Sequence, residues 1–376
     1  MNILFISQLY PLSKEDSTNS FALHYFIKEW LKEHNVQVIR PYLSYEKGES
    51  PKSKIVKIDN VKVHIVKPIW IPIIKTALVN KSKIINLVTP KPDIIICHLY
   101  NSFLTFRFLK KHYNVPFVVG IHRTDALLAQ KLFYRNKIKK GLKHADIVAY
   151  RSMAIKNIFE KSIKVNTEKS FIANSGIPET LIDNAERLLE NTKKQNRNIL
   201  KIISVCRLIK LKQIDKVIVA LSKLKKEGIK WEYTIIGEGP EKQKLKKLVA
   251  LNQLEKQITF YGQMPREKVF EHMGNSDIFV MPSYNETLGL VFLEAMANGC
   301  IVIGAKRWGI DGIVKDGENG FLCDPYNEHE IQESLKKALL MNDQMKNKVK
   351  RNSLKTVSKL SDKEIANNYL QKIMLN

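Results

Sequence analysis

ILKIISVCRLIKLKQIDKVIVALSKLKKEGIKWEYTIIG, residues 199–237, contains one full strand-helix-strand unit. The run ILKIISV reads as a strand. Beyond it Ile214, Val217, Ile218, Leu221 and Leu224 recur at three- and four-residue spacing, the stripe of an amphipathic helix, and Gly228 ends it. WEYTIIG is the next strand. That order predicts a parallel pair of strands with the helix laid across one face.

The alternation continues downstream through a basic helix to about Val249, the strand QITFYG, a short helix, the strand DIFVMP, a helix through Ala297 and the strand CIVIGA. Upstream, NILFIS, VQVIR, KVHIV, DIIICHL, PFVVGI and DIVAY are strand candidates, with a helix-like segment from about Ser20 to Glu33 and helical patterns between most of the rest. Between the two series the polar stretch ERLLENTKKQNRN, residues 186–198, loses the apolar period. The expected fold class is α/β, with two Rossmann-like doubly wound domains at 1–185 and 199–360 joined by a linker at 186–198. A C-terminal helix at 361–376 is expected to pack back on the first domain. Ligands of open α/β sheets sit at the carboxyl ends of the strands, so a cleft between two such domains is the expected site.

Bulk properties agree with that reading. A chain of 376 residues suits two domains, and 44% hydrophobic with 26% charged residues excludes a disordered or membrane-embedded chain. No segment supplies the ~18 uninterrupted apolar residues of a transmembrane helix. The cysteines Cys97, Cys206, Cys300 and Cys323 lie far apart, form no C-x-x-C pair, and read as reduced and mostly buried. MNILFISQLYP enters a strand directly, without an export signal, so a cytoplasmic protein is expected. The net charge of +25 is spread along the chain. It leaves two readings open, a lysine-rich composition or an anionic partner.

The segment PSYNETLGLVFLEAMANG, residues 282–299, carries the chemistry. Glu286 stands where a loop enters a helix, and Glu294 lies about two turns on, roughly 12 Å away if the rise is helical. One carboxylate suits a sugar and the other a ribose. Thr287, Leu288, Gly289 and Leu290 open the helix, whose free N–H groups and dipole stabilise a diphosphate. Gly289 permits close approach of the ligand.

This E-x7-E spacing followed by E-A-M-A-x-G resembles the retaining GT-B glycosyltransferases of family 4. SVCRLIKLKQID, with Arg207 and Lys212 five residues apart, and IIGEGPEKQKL, with Gly237, Gly239 and Pro240, are similar to that family's motifs. FYGQM with Met264, DIFVMPS and DGENGFLCDP follow in the family's order. The resemblance implies the GT-B fold and a nucleotide-sugar donor, with UDP expected ahead of GDP and a hexosyl or N-acetylhexosaminyl unit transferred. It assigns Glu294 to the ribose, Glu286 to the donor sugar, and Arg207 and Lys212 to the diphosphate. Thr287, Leu288, Gly289, Leu290, Gly237, Gly239 and Met264 complete the implied donor site. In PFVVGIHRTD it places His122 near the donor sugar, with Asp125 close by, and NSGI at 174–177 matches the family's N-G-I before the hinge.

Fixed cations and helix N–H groups would stabilise the charge that grows on the departing nucleoside diphosphate. No D-x-D occurs, so transfer without a metal or other cofactor is expected. Retention would proceed by attack on the face of departure, with no protein nucleophile. Two positions depart from the family: Asn19 and Ser20 replace adjacent glycines after the first strand. Gly309, Ile310, Asp311 and Gly312, preceded by Trp308, replace G-x-P-E.

The acceptor is expected to be a glycan or lipid-linked glycan of a bacterial surface polysaccharide. KLFYRNKIKKGLKH, residues 131–144, holds six lysines and arginines, no acid, and Leu132, Phe133 and Tyr134 on its leading turn. It reads either as a solvated helix face or as a dock for an anionic membrane surface, which would make the enzyme peripheral. PIWIPIIKTALV, residues 68–79, is a buried connection or a second approach to lipid or acceptor. A nucleotide-sugar epimerase would need an acid/base pair at the sugar. A nucleic-acid-binding protein would show a recognisable motif and clustered charge, which this sequence lacks, so nucleic acid is not an expected partner.

Overall fold

The computed structural model describes residues 1–13, 21–43, 54–73, 76–190 and 199–375, and every structural statement concerns these. The chain forms two units, Met1–Ser175 with Asp362–Asn376, and Gly176–Ser361.

In the first unit the strands are β1 (Asn2–Ser7), β2 (Asn35–Pro41), β3 (Ile55–Ile58), β4 (Val61–Val66), β5 (Ile69–Ile71), β6 (Thr76–Leu78), β7 (Ile94–His98), β8 (Phe117–Ile121), β9 (Ile147–Tyr150) and β10 (Ser170–Ile172). Eight form one sheet in the order β10-β9-β8-β7-β1-β2-β4-β3, parallel except for β3, which runs antiparallel to β4. Successive residues of β1 feed opposite faces: Ile3 and Phe5 join one core, Leu4 and Ile6 the other. This two-sided burial explains why IIICH and FVVGI carry no polar alternation. A side chain taken fully out of water in this way contributes on the order of 1.5–3 kcal/mol.

The second unit repeats the plan. Its strands are β11 (Leu200–Val205), β12 (Trp231–Ile236), β13 (Ile258–Tyr261), β14 (Ile278–Val280), β15 (Ile301–Ala305) and β16 (Phe321–Cys323), in the order β13-β12-β11-β14-β15-β16. All are parallel. Ile202 and Ile203 again feed different cores.

The boundary expected at 185/186 is corrected. Residues 176–185 belong to the second unit, and the helix Glu179–Glu190 runs through the start of the expected linker. Leu181, Ile182 and Ala185 are buried with Leu354 and Val357, while Leu188 and Leu189 extend the same stripe. The charged outer face of this helix hid that stripe. The remainder of the linker, 191–198, lies outside the described residues.

The helix Asp362–Met374 belongs to the first unit, although the second separates it in sequence. Trp30 Nε1 donates to Ala366 O at 2.9 Å, and Tyr369 packs its ring against Phe26, Trp30 and Phe171. The segment 68–79 is not a buried connection. β5 and β6 pair as a separate antiparallel hairpin that leaves Ile69 72% and Ile73 90% exposed.

Candidate active site

The loops after β11 and β12 lie against each other. Cys206 N–H donates to Ile236 O at 3.0 Å and Leu208 N–H to Glu238 O at 2.8 Å. A Cβ on Gly237 would stand 1.9 Å from Cys206 O, and one on Gly239 2.2 Å from Leu208 O. Both positions need glycine for this approach.

The chain then passes Arg207 into a single 3-10 turn, Lys210–Lys212, which Gln213 closes in the left-handed conformation at φ 56°. That turn meets the loop after β14. Tyr284 N–H donates to Leu211 O at 3.1 Å, Lys212 Nζ lies 2.5 Å from Glu286 Oε2, and Ser283 Oγ donates to the same oxygen at 3.4 Å. On its other side Glu286 is held by Gly309, whose N–H donates to Glu286 O at 3.2 Å. A Cβ there would crowd Glu286 Cγ at 3.0 Å, so Trp308-Gly309 keeps the glycine that this contact requires. Asp311, in the place of the family's carboxylate motif, accepts from Arg307 N–H within its own loop.

The helix begins later than the sequence predicts. Gly289 caps Leu290–Ala297 at φ 78°, so Thr287 and Leu288 precede it and Glu294 stands little more than one turn inside, not two. Leu288 is buried in the core, while Leu290 and Met264 are half-buried against the same core. Glu294 Oε1 pairs with Arg266 Nη2 at 2.5 Å. Sequence reasoning missed Arg266. Its signal was a cation two residues beyond Met264, at the start of the helix Arg266–Gly274.

Cys206 lies beside Lys212 and Glu286, yet burial pushes its thiol up to about 12, and it stays protonated. Among the described residues no group of three or more His, Cys, Asp or Glu side chains is placed to hold a metal ion.

In the first unit His122 follows β8 and caps the helix Arg123–Ala129. Its N–H donates to Asp125 Oδ2 at 2.8 Å, and Tyr100 N–H donates to Oδ1 at 2.9 Å. Burial raises the Asp125 carboxyl to about 7 against the pull of these two donors. His122 Nε2 lies 2.8 Å from Nδ1 of His98, a second histidine that sequence reasoning passed over. Burial first, then the Arg151 cation, holds His122 well below the usual imidazole range. Of NSGI, Ser175 accepts from Arg151 in the first unit, and Ile177 N–H donates to Leu360 O at 2.9 Å in the second. Asn19 and Ser20 lie outside the described residues.

The pattern described as Glycosyl transferases group 1 matches residues 186–356, and that described as Glycosyltransferase Family 4 matches residues 21–180. The chain belongs to this family of glycosyltransferases. Among similar proteins, N-acetyl-alpha-D-glucosaminyl L-malate synthase of Bacillus anthracis is 29% identical over 215 residues, covering 56% of this chain and 55% of that protein. The putative colanic acid biosynthesis glycosyltransferase WcaL of Salmonella typhimurium is 31% identical over 174 residues, 45% of this chain and 41% of WcaL. The matched stretch thus spans about half the length of these curated relatives. Anabaena HepE, solved in complex with UDP, superposes with a TM-score of 0.73 at 16% identity over 100% of both chains. That likeness places this family 4 chain in the GT-B fold class, with two Rossmann-like domains.

Proposed function

We propose that the chain is a retaining, metal-independent glycosyltransferase that moves a hexosyl or N-acetylhexosaminyl unit from a UDP-sugar to a glycan or lipid-linked glycan of a surface polysaccharide. The observation that carries this reading is the meeting of Lys212 and Glu286 beside the Gly289-capped helix. Lys212, held against Glu286, supplies positive charge for a leaving diphosphate together with Arg207 and the helix N–H groups, and this charge takes the place of a metal ion. Glu286 accepts from donor-sugar hydroxyls, and Glu294 from those of the ribose. Cys206 is protonated, and Glu286 is engaged by Lys212 and Ser283, which suits same-face attack by the acceptor. The base follows HepE's bound UDP, and the polysaccharide follows the name of WcaL. The test is UDP release from a panel of UDP-sugars with a glycan acceptor, in EDTA. Turnover undiminished by EDTA supports the reading, whereas turnover that EDTA abolishes and Mg²⁺ or Mn²⁺ restores would refute metal independence.

The acceptor side of the reading places the first unit at an anionic leaflet. No helix among the described residues is long and apolar enough to cross a membrane. The helix Leu132–Leu142 exposes Leu132 and Phe133 beside its lysines and buries Ile138 and Gly141. A Cβ on Gly141 would lie 2.6 Å from the Phe103 ring, so this helix seats on the helix Tyr100–Phe106. The hairpin β5–β6 leans on that same helix, where Thr105 Oγ1 donates to Ala77 O at 3.2 Å. Exposed apolar side chains flanked by lysines match a leaflet that is apolar beneath and negative at its surface. Co-sedimentation with phosphatidylglycerol vesicles at low salt is expected, weakened by high salt and by a Leu132→Ser/Ile73→Ser pair. A protein that stays in the supernatant at low salt would remove this part of the proposal.

A further inference from the structure

His122 is held by a chain of buried groups that ends on the C-terminal helix. His98 Nδ1 lies 2.8 Å from His122 Nε2, and His98 Nε2 lies 3.1 Å from the Tyr369 hydroxyl. All three side chains are buried. The His98 ring lies 6.3 Å from that of Tyr369 at an interplanar angle of 24°, and 5.0 Å from that of His122 at 65°. Strand β8 makes room for it. Gly120 stands opposite His98 in the register, and a Cβ there would fall 2.5 Å from three of the ring's carbons.

We propose that Tyr369 is a positioning residue for His122, acting through His98. The proposal rests on the reading of His122 as the residue that faces the donor sugar. Each neutral imidazole carries one N–H and one lone pair, so the single hydrogen between the two rings comes from one of them. Whichever ring supplies it fixes the proton on the other ring, and with it the direction of the bond to Tyr369. The three groups therefore switch together, and the hydroxyl is a partner that His98 Nε2 needs in either state. Burial, with Arg151 close by, keeps both rings neutral, so neither escapes this constraint by taking up a second proton. The helix Asp362–Met374 thus sets the ring of His122 from the far end of the chain, through two hydrogen bonds that meet at His98.

The test is a double-mutant cycle on the full chain, read in steady-state rates with a UDP-sugar and in the ring-nitrogen NMR resonances of labelled histidine. Tyr369→Phe keeps the packed ring and removes only the hydroxyl. The expected result is a kcat lowered by about tenfold with donor KM held, and a melting temperature lowered modestly because His98 Nε2 loses its buried partner. The His122 ring resonances move, and Tyr369→Phe adds no further loss to His122→Ala. His122 resonances that stay in place in Tyr369→Phe overturn the proposal whatever the rates do. Resonances that move while Tyr369→Phe costs the same factor with and without His122 also overturn it, since the hydroxyl then acts on the fold at large. If the wild type transfers no sugar at all, the functional reading fails, and the resonances alone decide whether Tyr369 sets the ring.

Discussion

Lys212→Ala is expected to lower kcat by about 10²- to 10³-fold, the cost of removing one preorganised charge from a group that receives developing negative charge. The side chain is delivered by the 3-10 turn Lys210–Lys212, and that turn is tied to the β14 loop through Tyr284 and Leu211. Its cation is therefore in place before a donor arrives. Removal also strips Glu286 of the partner 2.5 Å away and leaves a half-buried carboxylate facing a diphosphate of the same sign. Donor KM should rise as well, by a smaller factor, because the charge on the diphosphate is present in the ground state and grows in the transition state. Lys212→Arg is expected to recover part of the loss, since it restores charge but not the shape of the ammonium. Lys223→Ala, on the exposed face of the helix Ile214–Lys226, serves as the control and should leave the rate unchanged. Initial rates at saturating acceptor decide the matter.

Gly237→Ala is expected to destabilise the second unit by more than about 3 kcal/mol, because strain and collision act together there. At φ 136° the backbone suits glycine, and the new Cβ would stand 1.9 Å from the carbonyl oxygen of Cys206. Backbone cannot turn aside as a flexible side chain can. Relief requires the β12 loop to part from the β11 loop, which breaks the Leu208–Glu238 hydrogen bond and moves Arg207. Gly228→Ala separates the two causes. Gly228 has φ 81° and no atom within 4 Å of its would-be Cβ, so it should show the strain alone, about 1–2 kcal/mol. Denaturant unfolding of both variants gives the comparison.

Two doubly wound units were legible because buried parallel strands show as short apolar runs separated by amphipathic stripes, and that rhythm is clear from Asn2 onward. The family motifs were legible because glycine spacing and paired carboxylates survive in one dimension. What escaped was set by contacts far apart in sequence. The helix Glu179–Glu190 carries enough charge on its outer face to pass for a linker, and only its burial against residues 354–357 assigns it to the second unit. The start of the Glu294 helix was placed too early because Gly289, taken as a helix residue, is its left-handed cap. Arg266 pairs with Glu294 across 28 residues, and His98 with Tyr369 across 271, separations that no local pattern encodes. The non-glycine residues Gln213 and Asn285, at φ 56° and 59°, shape the loops on either side of Glu286 without any sequence signal of that role.

The second unit is expected to bind a nucleotide-sugar through Glu294 and the loops around Lys212. The most direct test is the melting temperature of the purified protein with UDP-sugars and GDP-sugars, beside a Glu294→Ala variant whose own melting point is recorded without ligand. A ligand that binds only the folded state raises that temperature, by about 2.7 kcal/mol of stabilisation at a hundredfold excess over Kd. The expected result is a clear rise with at least one UDP-sugar, absent in Glu294→Ala, and none with GDP-sugars. An equal rise in the variant, or no rise with any nucleotide-sugar, would contradict the account.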